Sequence, residues 1–378
     1  MRLLWYWPHP LDGVAPIPTL LAAAGVDTTV QAIGELNGRE LGVDGVDYRL
    51  VRDLPQVGGR GHGVGRALDG FRRRVVRQHR RNLLIRRLRP DVVHIELIEP
   101  EFDWLTIPLA RRRSGSATVG VVHDVISRDS RFPRIIESRL FRTLYGPRHF
   151  DLLVVYHQFI ADQLVNRFAV DPERVAVLPH PIPEPEQRPR RRRTADDSFN
   201  VLFLGSIRSD KGVSVIDAAI RGRAPRDDLE FTFAGQGETA LEVLVERLAA
   251  DRSDVEATIG HYDRELKRSL LRSADLVVLP YTTFESQSGV LGDAYEFGVP
   301  VVASDVGAVG PTVRSDGTGW VVPPGDATAL REAIELAAAD RDAYDLVRDN
   351  VRRAAERHAP AAITDQLRSI YERAATLR

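Results

Sequence analysis

The sequence has 378 residues, a formal net charge of −1 and 28% charged residues. This composition is typical of a globular protein and excludes a general bias toward nucleic acid or anionic lipid. The absence of cysteine excludes disulfides and thiolate metal sites. No apolar stretch approaches the length of a membrane span or of a signal-peptide core, so we expect a cytoplasmic protein.

Short apolar runs alternate with longer helical patterns through the first half of the chain. Runs that are apolar throughout are typical of parallel strands covered on both faces, and their alternation with helices predicts an α/β sheet with right-handed crossovers. The predicted strands are Arg2–Tyr6, Thr28–Ala32, Val92–Ile95, Thr118–Val122, Leu152–Val155 and Val175–Leu178.

A stretch rich in proline and arginine interrupts this alternation and predicts a linker over 183–198. We therefore expect an N-terminal domain over 1–182 and a C-terminal domain over 199–360. A final helix over 361–378 is predicted to pack back on the N-terminal domain.

The second half repeats the alternation of strands and helices. Two doubly wound domains in series predict two Rossmann-like sheets facing a central cleft, because such sheets bind ligands beyond the carboxyl ends of their strands. The predicted strands are Asn200–Leu204, Glu230–Ala234, Val255–Ile259, Leu276–Leu279, Pro300–Ala303 and Gly319–Val322.

The segment from Gly205 to Gly212 follows the first of these later strands and suits a diphosphate. A glycine at the turn leaves room, Arg208 and Lys211 supply positive charge, and the next helix points its first N–H groups outward. Only Lys211 and Lys267 among 52 basic residues are lysines, which favours a function for Lys211. A loop with solvated charges is the alternative.

A second anion site is predicted where a helix begins at Gly289. The N–H groups of Ser288, Gly289 and Val290 would face a bound phosphate. Asp293, one turn into the helix, is placed to accept hydrogen bonds from a ribose, and Glu285 lies in the loop ahead. Each acid taken singly is more typical of a surface charge, so their spacing carries the argument.

The spacing of Glu285 and Asp293, with seven residues between them, resembles the E-x7-E element of the retaining GT-B glycosyltransferases of family 4, also called glycosyl transferases group 1. The resemblance extends in order over nearly the whole second domain. Its further segments are the diphosphate loop Gly205–Gly212, the A-G-x-G turn Ala234–Gly237, the S-A-D-x-x-x-x-P strand Ser273–Pro280, the segment Gly298–Ser304, and the segments Val306–Val309 and Gly317–Gly325.

The resemblance implies that the second domain binds a nucleotide sugar. Lys211 and Arg208 would hold the donor diphosphate and act in catalysis together with Glu285, which would contact the transferring sugar or its phosphate. Asp293 would hold the ribose, and the turn containing His261 would border the base.

Two positions depart from the family pattern. Asp293 is one methylene shorter than the usual glutamate, and Ser206 stands where many members have arginine. These departures leave open a non-catalytic protein that binds nucleotide sugars. Another enzyme on the same scaffold, such as a nucleotide-sugar epimerase or a phosphorylase, is a further alternative.

The resemblance implies that the first domain binds the acceptor. The segment around His123 resembles the family's strand ending in His-Asp, which would place this histidine beside the transferring sugar. Its alternative role is that of a histidine packed under a loop. The loop after the first strand carries His9, Asp12 and Gly13, which we expect to contact the acceptor.

The stretch Arg66–Arg89 predicts a helix with ten arginines and one acid. A solvated helix face is the usual explanation for such a pattern. Docking on an anionic membrane surface is the alternative, and it would add peripheral contact at the inner face of the membrane.

The function predicted from the sequence is that of a retaining glycosyltransferase. It would move a hexose-type sugar from a nucleoside-diphosphate sugar to a hydroxyl of a glycan, a glycolipid or a natural product. No cofactor, metal ion or nucleic acid partner is expected. The preference for arginine over lysine indicates a GC-rich, bacterial genome.

Overall fold

We describe a computed structural model of the chain. It forms two compact units: unit 1 comprises Met1–Pro179 and Pro360–Arg378, and unit 2 comprises His180–Ala359. The structure describes residues 1–7, 16–33, 46–51, 64–123, 125, 134–186, 198–283 and 288–378.

Unit 1 contains a parallel sheet of seven strands. They are β1 (Arg2–Trp7), β2 (Asp27–Ile33), β3 (Val46–Val51), β4 (Val92–Ile95), β5 (Ala117–Val121), β6 (Leu152–Val155) and β7 (Val175–Val177). Their order is β3-β2-β1-β4-β5-β6-β7, so the direction of winding reverses between β1 and β4. The helices between them are α1 (Pro16–Ala23), α2 (Val64–Leu88), α3 (Pro100–Ser114), α4 (Arg134–Leu144) and α5 (Gln158–Phe168).

Both faces of this sheet are covered, which explains the apolar runs in the sequence. Successive residues of a strand face opposite sides. Leu3 and Trp5 accordingly pack into one hydrophobic core, and Leu4 and Tyr6 pack into the other. β3 is not among the strands predicted from the sequence. This edge strand alternates apolar and charged residues, and it pairs with β2 alone.

Unit 2 repeats the design with six parallel strands. They are β8 (Phe199–Leu204), β9 (Leu229–Gly235), β10 (Val255–Ile259), β11 (Leu276–Leu279), β12 (Val301–Ser304) and β13 (Gly319–Val322). Their order is β10-β9-β8-β11-β12-β13, with the reversal between β8 and β11. The helices are α6 (Val213–Arg221), α7 (Thr239–Asp251), α8 (Arg264–Ser273), α9 (Gly289–Glu296), α10 (Val309–Asp316), α11 (Ala327–Ala339) and α12 (Arg341–His358).

The last helix, α13 (Pro360–Thr376), packs on the sheet of unit 1. Its residues Ile363, Leu367 and Tyr371 are buried in the same core as Leu3. The border between the units falls at Pro179 rather than at the predicted residue 182. No helix in the part of the chain that the structure describes has the length and apolar character needed to cross a bilayer.

The start of the predicted linker is packed on unit 2. The backbone N–H of Glu186 donates to the carbonyl of Glu296 at 2.7 Å, and the Glu186 carboxylate pairs with Arg268 and Arg272, each at a shortest distance of 2.7–2.8 Å. Residues 187–197 lie outside the described residues.

Candidate active site

A pocket of about 270 Å³ lies at the carboxyl ends of β8 and β11. This is where the strand order of unit 2 reverses, the usual ligand-binding position of a doubly wound sheet. Six residues singled out from the sequence line it: Gly205, Lys211, Ser288, Gly289, Val290 and Asp293.

The loop that begins at Gly205 is held by the A-G-x-G turn. The N–H of Gly205 donates to the carbonyl of Ala234 at 2.9 Å, and the N–H of Ile207 donates to Gln236 at 3.0 Å. A β-carbon on Gly235 would lie only 1.8 Å from the carbonyl oxygen of Gly205. The turn therefore requires glycine at this position, because any side chain would push the loop away.

Lys211 lies over an aromatic ring that the sequence analysis did not single out. Its Nζ is 3.9 Å from the ring centroid of Tyr281, which directly follows the S-A-D-x-x-x-x-P strand. The Tyr281 hydroxyl is 2.9 Å from the Oγ of Ser288. One tyrosine thus connects the ammonium group to the start of α9.

Helix α9 directs its N-terminus at the same pocket. Ser288 is the N-cap residue, and its Oγ accepts a hydrogen bond from the N–H of Leu291. Gly289 is the first helical residue and also lines the pocket. Because the first N–H groups of a helix lack intrahelical partners and carry partial positive charge, this end favours an anion.

Arg208 contacts an acid close to it in the sequence, and its predicted role at the diphosphate stays a prediction. Its guanidinium forms a two-point contact with Asp210, at 2.9 and 2.6 Å, and its side chain is 43% exposed. It is not among the residues that line the pocket. The short separation of the two charges along the chain explains the pairing, and it leaves Lys211 as the cation that lines the pocket in the described part of the chain.

Lys267 of α8 forms an ion pair with a residue that lines the pocket. Its Nζ lies 2.6 Å from Oδ1 of Asp293. Lys267 is thus connected to the pocket through Asp293, although it is not among the residues that line the pocket. A carboxylate held on one oxygen by an ammonium group keeps its other oxygen for a further donor.

The Asp293 side chain is 18% exposed, and its partial burial has a cost that can be measured. Burial raises the pKa of its carboxyl, and the neighbouring Lys267 opposes the rise. A carboxyl whose pKa is higher in the folded than in the unfolded protein destabilises the fold at pH values above both. A residue that destabilises the fold and lines a pocket is a candidate for binding rather than for stability.

Replacing Asp293 with asparagine should therefore raise the thermal midpoint at pH 7. The gain should shrink as the pH falls toward 4, because the wild-type carboxyl then becomes neutral. We also expect nucleotide affinity to fall roughly tenfold, the loss typical of one hydrogen bond to a charged group. Melting curves from pH 4 to 8, with a nucleotide titration at pH 7, measure both effects.

Asp228→Asn is the matched control. A hydrogen bond from Arg226 lowers the pKa of the Asp228 carboxyl, so its charge stabilises the fold. That variant should lose a little stability at pH 7 and keep its nucleotide affinity. A lower thermal midpoint for Asp293→Asn at pH 7 would contradict the assignment.

The turn predicted to border the base, Gly260-His261-Tyr262, reaches the pocket through its last residue. His261 is exposed, whereas its neighbour Tyr262 lines the pocket and is half-buried. Burial raises the pKa of the Tyr262 hydroxyl. An aromatic ring at this position offers a surface on which a base can stack.

In unit 1, His123 lies two residues beyond the carboxyl end of β5. Its Nε2 is 2.9 Å from the backbone carbonyl oxygen of Glu96 and 3.3 Å from Oε1 of the same residue. Glu96 directly follows β4 and was not singled out from the sequence. Burial would raise the pKa of its carboxyl, but hydrogen bonds from His123 and His94 hold that pKa well below its usual range.

Four predicted site residues lie outside the described residues: His9, Asp12, Gly13 and Glu285. Their roles stay predictions. Within the described ranges, no group of three or more His, Asp or Glu side chains has the arrangement of a metal site.

Each unit contains a parallel sheet in which the direction of winding reverses once, and this arrangement defines two Rossmann-like domains. In unit 2 a pocket lined by Lys211 lies where the winding reverses. Family models assign the two halves. Residues 20–184 match the model described as Glycosyltransferase Family 4, and residues 198–340 match the one described as Glycosyl transferases group 1. The chain belongs to this glycosyltransferase family.

Curated relatives match about half of the chain. A D-inositol 3-phosphate glycosyltransferase of Paenarthrobacter aurescens is 30% identical over 215 residues, which cover 53% of this chain and 50% of that protein. The alpha-D-kanosaminyltransferase of Streptomyces kanamyceticus is 31% identical over 187 residues, which cover 48% and 47%. The chain thus spans about half the length of these relatives.

Solved structures match nearly the whole chain at low identity and show the fold. HepE of Anabaena in complex with UDP has a TM-score of 0.70 at 15% identity and covers 98% of this chain and 100% of its own. WaaG, a glycosyltransferase involved in lipopolysaccharide biosynthesis, has a TM-score of 0.62 at 18% identity, covering 98% and 99%. The predicted GT-B fold is confirmed.

Proposed function

We propose that this protein is a retaining, metal-independent glycosyltransferase that moves a hexose-type sugar from a nucleoside-diphosphate sugar to a hydroxyl acceptor. The observation that carries the proposal is the pocket in which Lys211, held over Tyr281, and the N-terminus of α9 converge. The family assignment supports it, as does the HepE structure, which contains UDP.

In the proposed reaction the acceptor oxygen attacks the anomeric carbon from the side on which the diphosphate leaves. The bond from that carbon to the phosphate oxygen breaks, and the leaving phosphate takes the acceptor proton. Negative charge then grows on the diphosphate. Lys211 and the first N–H groups of α9 are fixed before the reaction, so they stabilise that charge without reorganising.

The proposal includes metal independence, because the positive charge at the diphosphate comes from the protein itself. The ammonium of Lys211 and the helix dipole supply the positive charge that a divalent ion supplies in other sites. Activity that survives an excess of EDTA is the expected result. Activity that disappears with EDTA and returns with Mg²⁺ or Mn²⁺ would contradict this part.

The test is a transfer assay with UDP-, GDP-, ADP- and dTDP-hexoses against simple sugar and inositol acceptors. NMR of the product gives its anomeric configuration. A product with the configuration of the donor is expected, and an inverted one would overturn retention. Nucleotide binding without turnover would favour the non-catalytic binder, and a converted nucleotide sugar would favour an epimerase.

A second proposal concerns the setting of the acceptor: helix α2 docks on an anionic membrane surface. Three of its apolar residues are exposed, Phe71 by 59%, Val75 by 41% and Leu83 by 48%. Exposed arginines flank them, including Arg86 and Arg87. Apolar side chains among basic ones are the pattern of a helix that lies in a membrane interface.

The helix is also firmly held from beneath. Its Arg81 forms a fully buried ion pair with Asp103 of α3 at 2.8 Å, and Ile85 is in the core of unit 1. Helix α3 adds a second exposed apolar face next to it, comprising Trp104, Leu105 and Leu109.

We expect the protein to float with vesicles containing anionic lipid. Each arginine near such a surface contributes about 1 kcal/mol, so Arg86→Glu with Arg87→Glu should release most of the bound protein. The same double change at the exposed Arg352 and Arg353 of α12 is the control and should leave flotation unchanged. Wild-type protein that stays at the bottom would refute membrane docking.

A further inference from the structure

A buried hydrogen-bond network lies behind His123 at the carboxyl ends of three neighbouring strands. Glu96 follows β4, His123 follows β5 by two residues, and Tyr156 follows β6. Glu96 and Tyr156 are buried, whereas the His123 side chain is 37% exposed. The network therefore reaches solvent at the imidazole.

The contacts determine which ring nitrogen of His123 carries a proton. Its Nε2 lies against the carbonyl oxygen of Glu96 at 2.9 Å and against Oε1 at 3.3 Å. Both oxygens can only accept while the carboxyl is ionised, so Nε2 is the donor. The ring consequently turns its Nδ1 away from Glu96.

Two more donors, besides His123, hold the Glu96 carboxylate. The Tyr156 hydroxyl donates to Oε1 at 2.6 Å, and Nε2 of His94 donates to Oε2 at 2.9 Å. The second nitrogen of His94 lies 3.0 Å from the hydroxyl of Tyr371, on the final helix α13. Because Nε2 of His94 already carries its proton, Nδ1 accepts from Tyr371.

We propose that Glu96 is a positioning residue of glycosyl transfer: it fixes the orientation and tautomer of His123, and Tyr371 fixes Glu96 through His94. This inference rests on the proposed function. The physical reason is that an anionic acceptor behind an imidazole fixes its tautomer and stabilises its protonated form, as in other carboxylate–histidine pairs. The final helix thereby contributes to the site although its sequence lies far from His123.

The test compares Glu96→Gln, His123→Ala and the double variant. Glutamine keeps the shape of Glu96, but its amide is a donor on one side. We expect kcat to fall about 30-fold, within the range seen when a positioning partner is removed, with the KM for the donor within about twofold. The double variant should be no slower than His123→Ala alone, because Glu96 acts through His123.

A second readout does not need activity. In ¹⁵N-labelled wild-type protein, the His123 ring should show a protonated Nε2, and in Glu96→Gln the Nδ1 tautomer should gain population. Tyr371→Phe should give a smaller loss of kcat, about threefold, since it acts one step further away. Nucleotide-induced stabilisation should be unchanged in all of these variants.

Two failures can be distinguished. If the wild type shows no transfer at all, the proposed function fails, while the NMR measurement still tests the tautomer. If transfer occurs and Glu96→Gln keeps the wild-type kcat, or if its loss adds fully to that of His123→Ala, the positioning role is overturned.

Discussion

Replacing Lys211 with methionine is expected to lower kcat/KM for the nucleotide-sugar donor by about a thousandfold. Methionine preserves most of the stem length and removes the charge. Loss of one fixed donor to a developing negative charge reduces rates by about 10²–10³. We expect the upper end, because Lys211 is the cation lining the pocket in the described part of the chain.

Arg226→Ala is the matched control for this change. Arg226 is also a cation of unit 2, but its ion pair with Asp228 at 2.6 Å is on the surface, with both side chains more than half exposed. Such pairs contribute little to stability, so the variant should keep wild-type kinetics. Lys211→Met with less than a fivefold loss of kcat/KM would exclude Lys211 from the reaction.

Replacing Gly212 with alanine is expected to destabilise unit 2 by at least about 3 kcal/mol. The backbone at Gly212 has φ of +71°, and a β-carbon there would lie 1.7 Å from the carbonyl oxygen of Pro280. The left-handed conformation alone costs about 1–2 kcal/mol for a residue with a side chain. The added β-carbon would clash with the Pro280 backbone, so either the end of β11 or the turn that contains Lys211 must move.

Gly298→Ala separates these two contributions. Gly298 has φ of +63°, and among the residues that the structure describes no atom apart from those of its chain neighbours lies within 4 Å of an added β-carbon. It should lose only the conformational part, and thus about 2–8 °C of thermal midpoint, against about 6–12 °C or more for Gly212→Ala. Equal midpoints for the two variants would show that the close approach of Gly212 to Pro280 does not matter.

The strands of both sheets could be predicted because of how they are buried. β4, β6, β10, β11 and β13 have the predicted bounds. Most are apolar runs covered on both faces and bounded by turn residues, a pattern that is local in sequence. β3 lacked this signal, since it is an edge strand with alternating charges.

The parts of the site that depend on local motifs could also be predicted from the sequence. Lys211, Ser288 and Asp293 were chosen from loop and helix-start patterns, and the structure places all three at one pocket. The pairing of Arg208 with Asp210 is equally local, but a cation next to an acid gives no sign of whether it faces a ligand or its neighbour.

The contacts that were missed join residues far apart in the chain. Tyr281 follows β11 and contacts Lys211, which lies in the loop after the neighbouring strand β8. Lys267 of α8 contacts Asp293 of α9. Glu96 acquires its role only from the order of the strands that bring it beside His123. A pattern within a few consecutive residues carries no information on such distant pairs. These contacts could therefore be identified only from the three-dimensional structure.

The measurement that tests the account most directly is a thermal-shift screen of the wild type and Lys211→Met against UDP, GDP, ADP and dTDP. A ligand that binds only the folded state stabilises it by about 2.7 kcal/mol at a hundred times its Kd. We predict that at least one diphosphate raises the wild-type midpoint by several degrees and that Lys211→Met loses this response. No shift with any of the four at millimolar concentration would contradict a donor site in the pocket of unit 2.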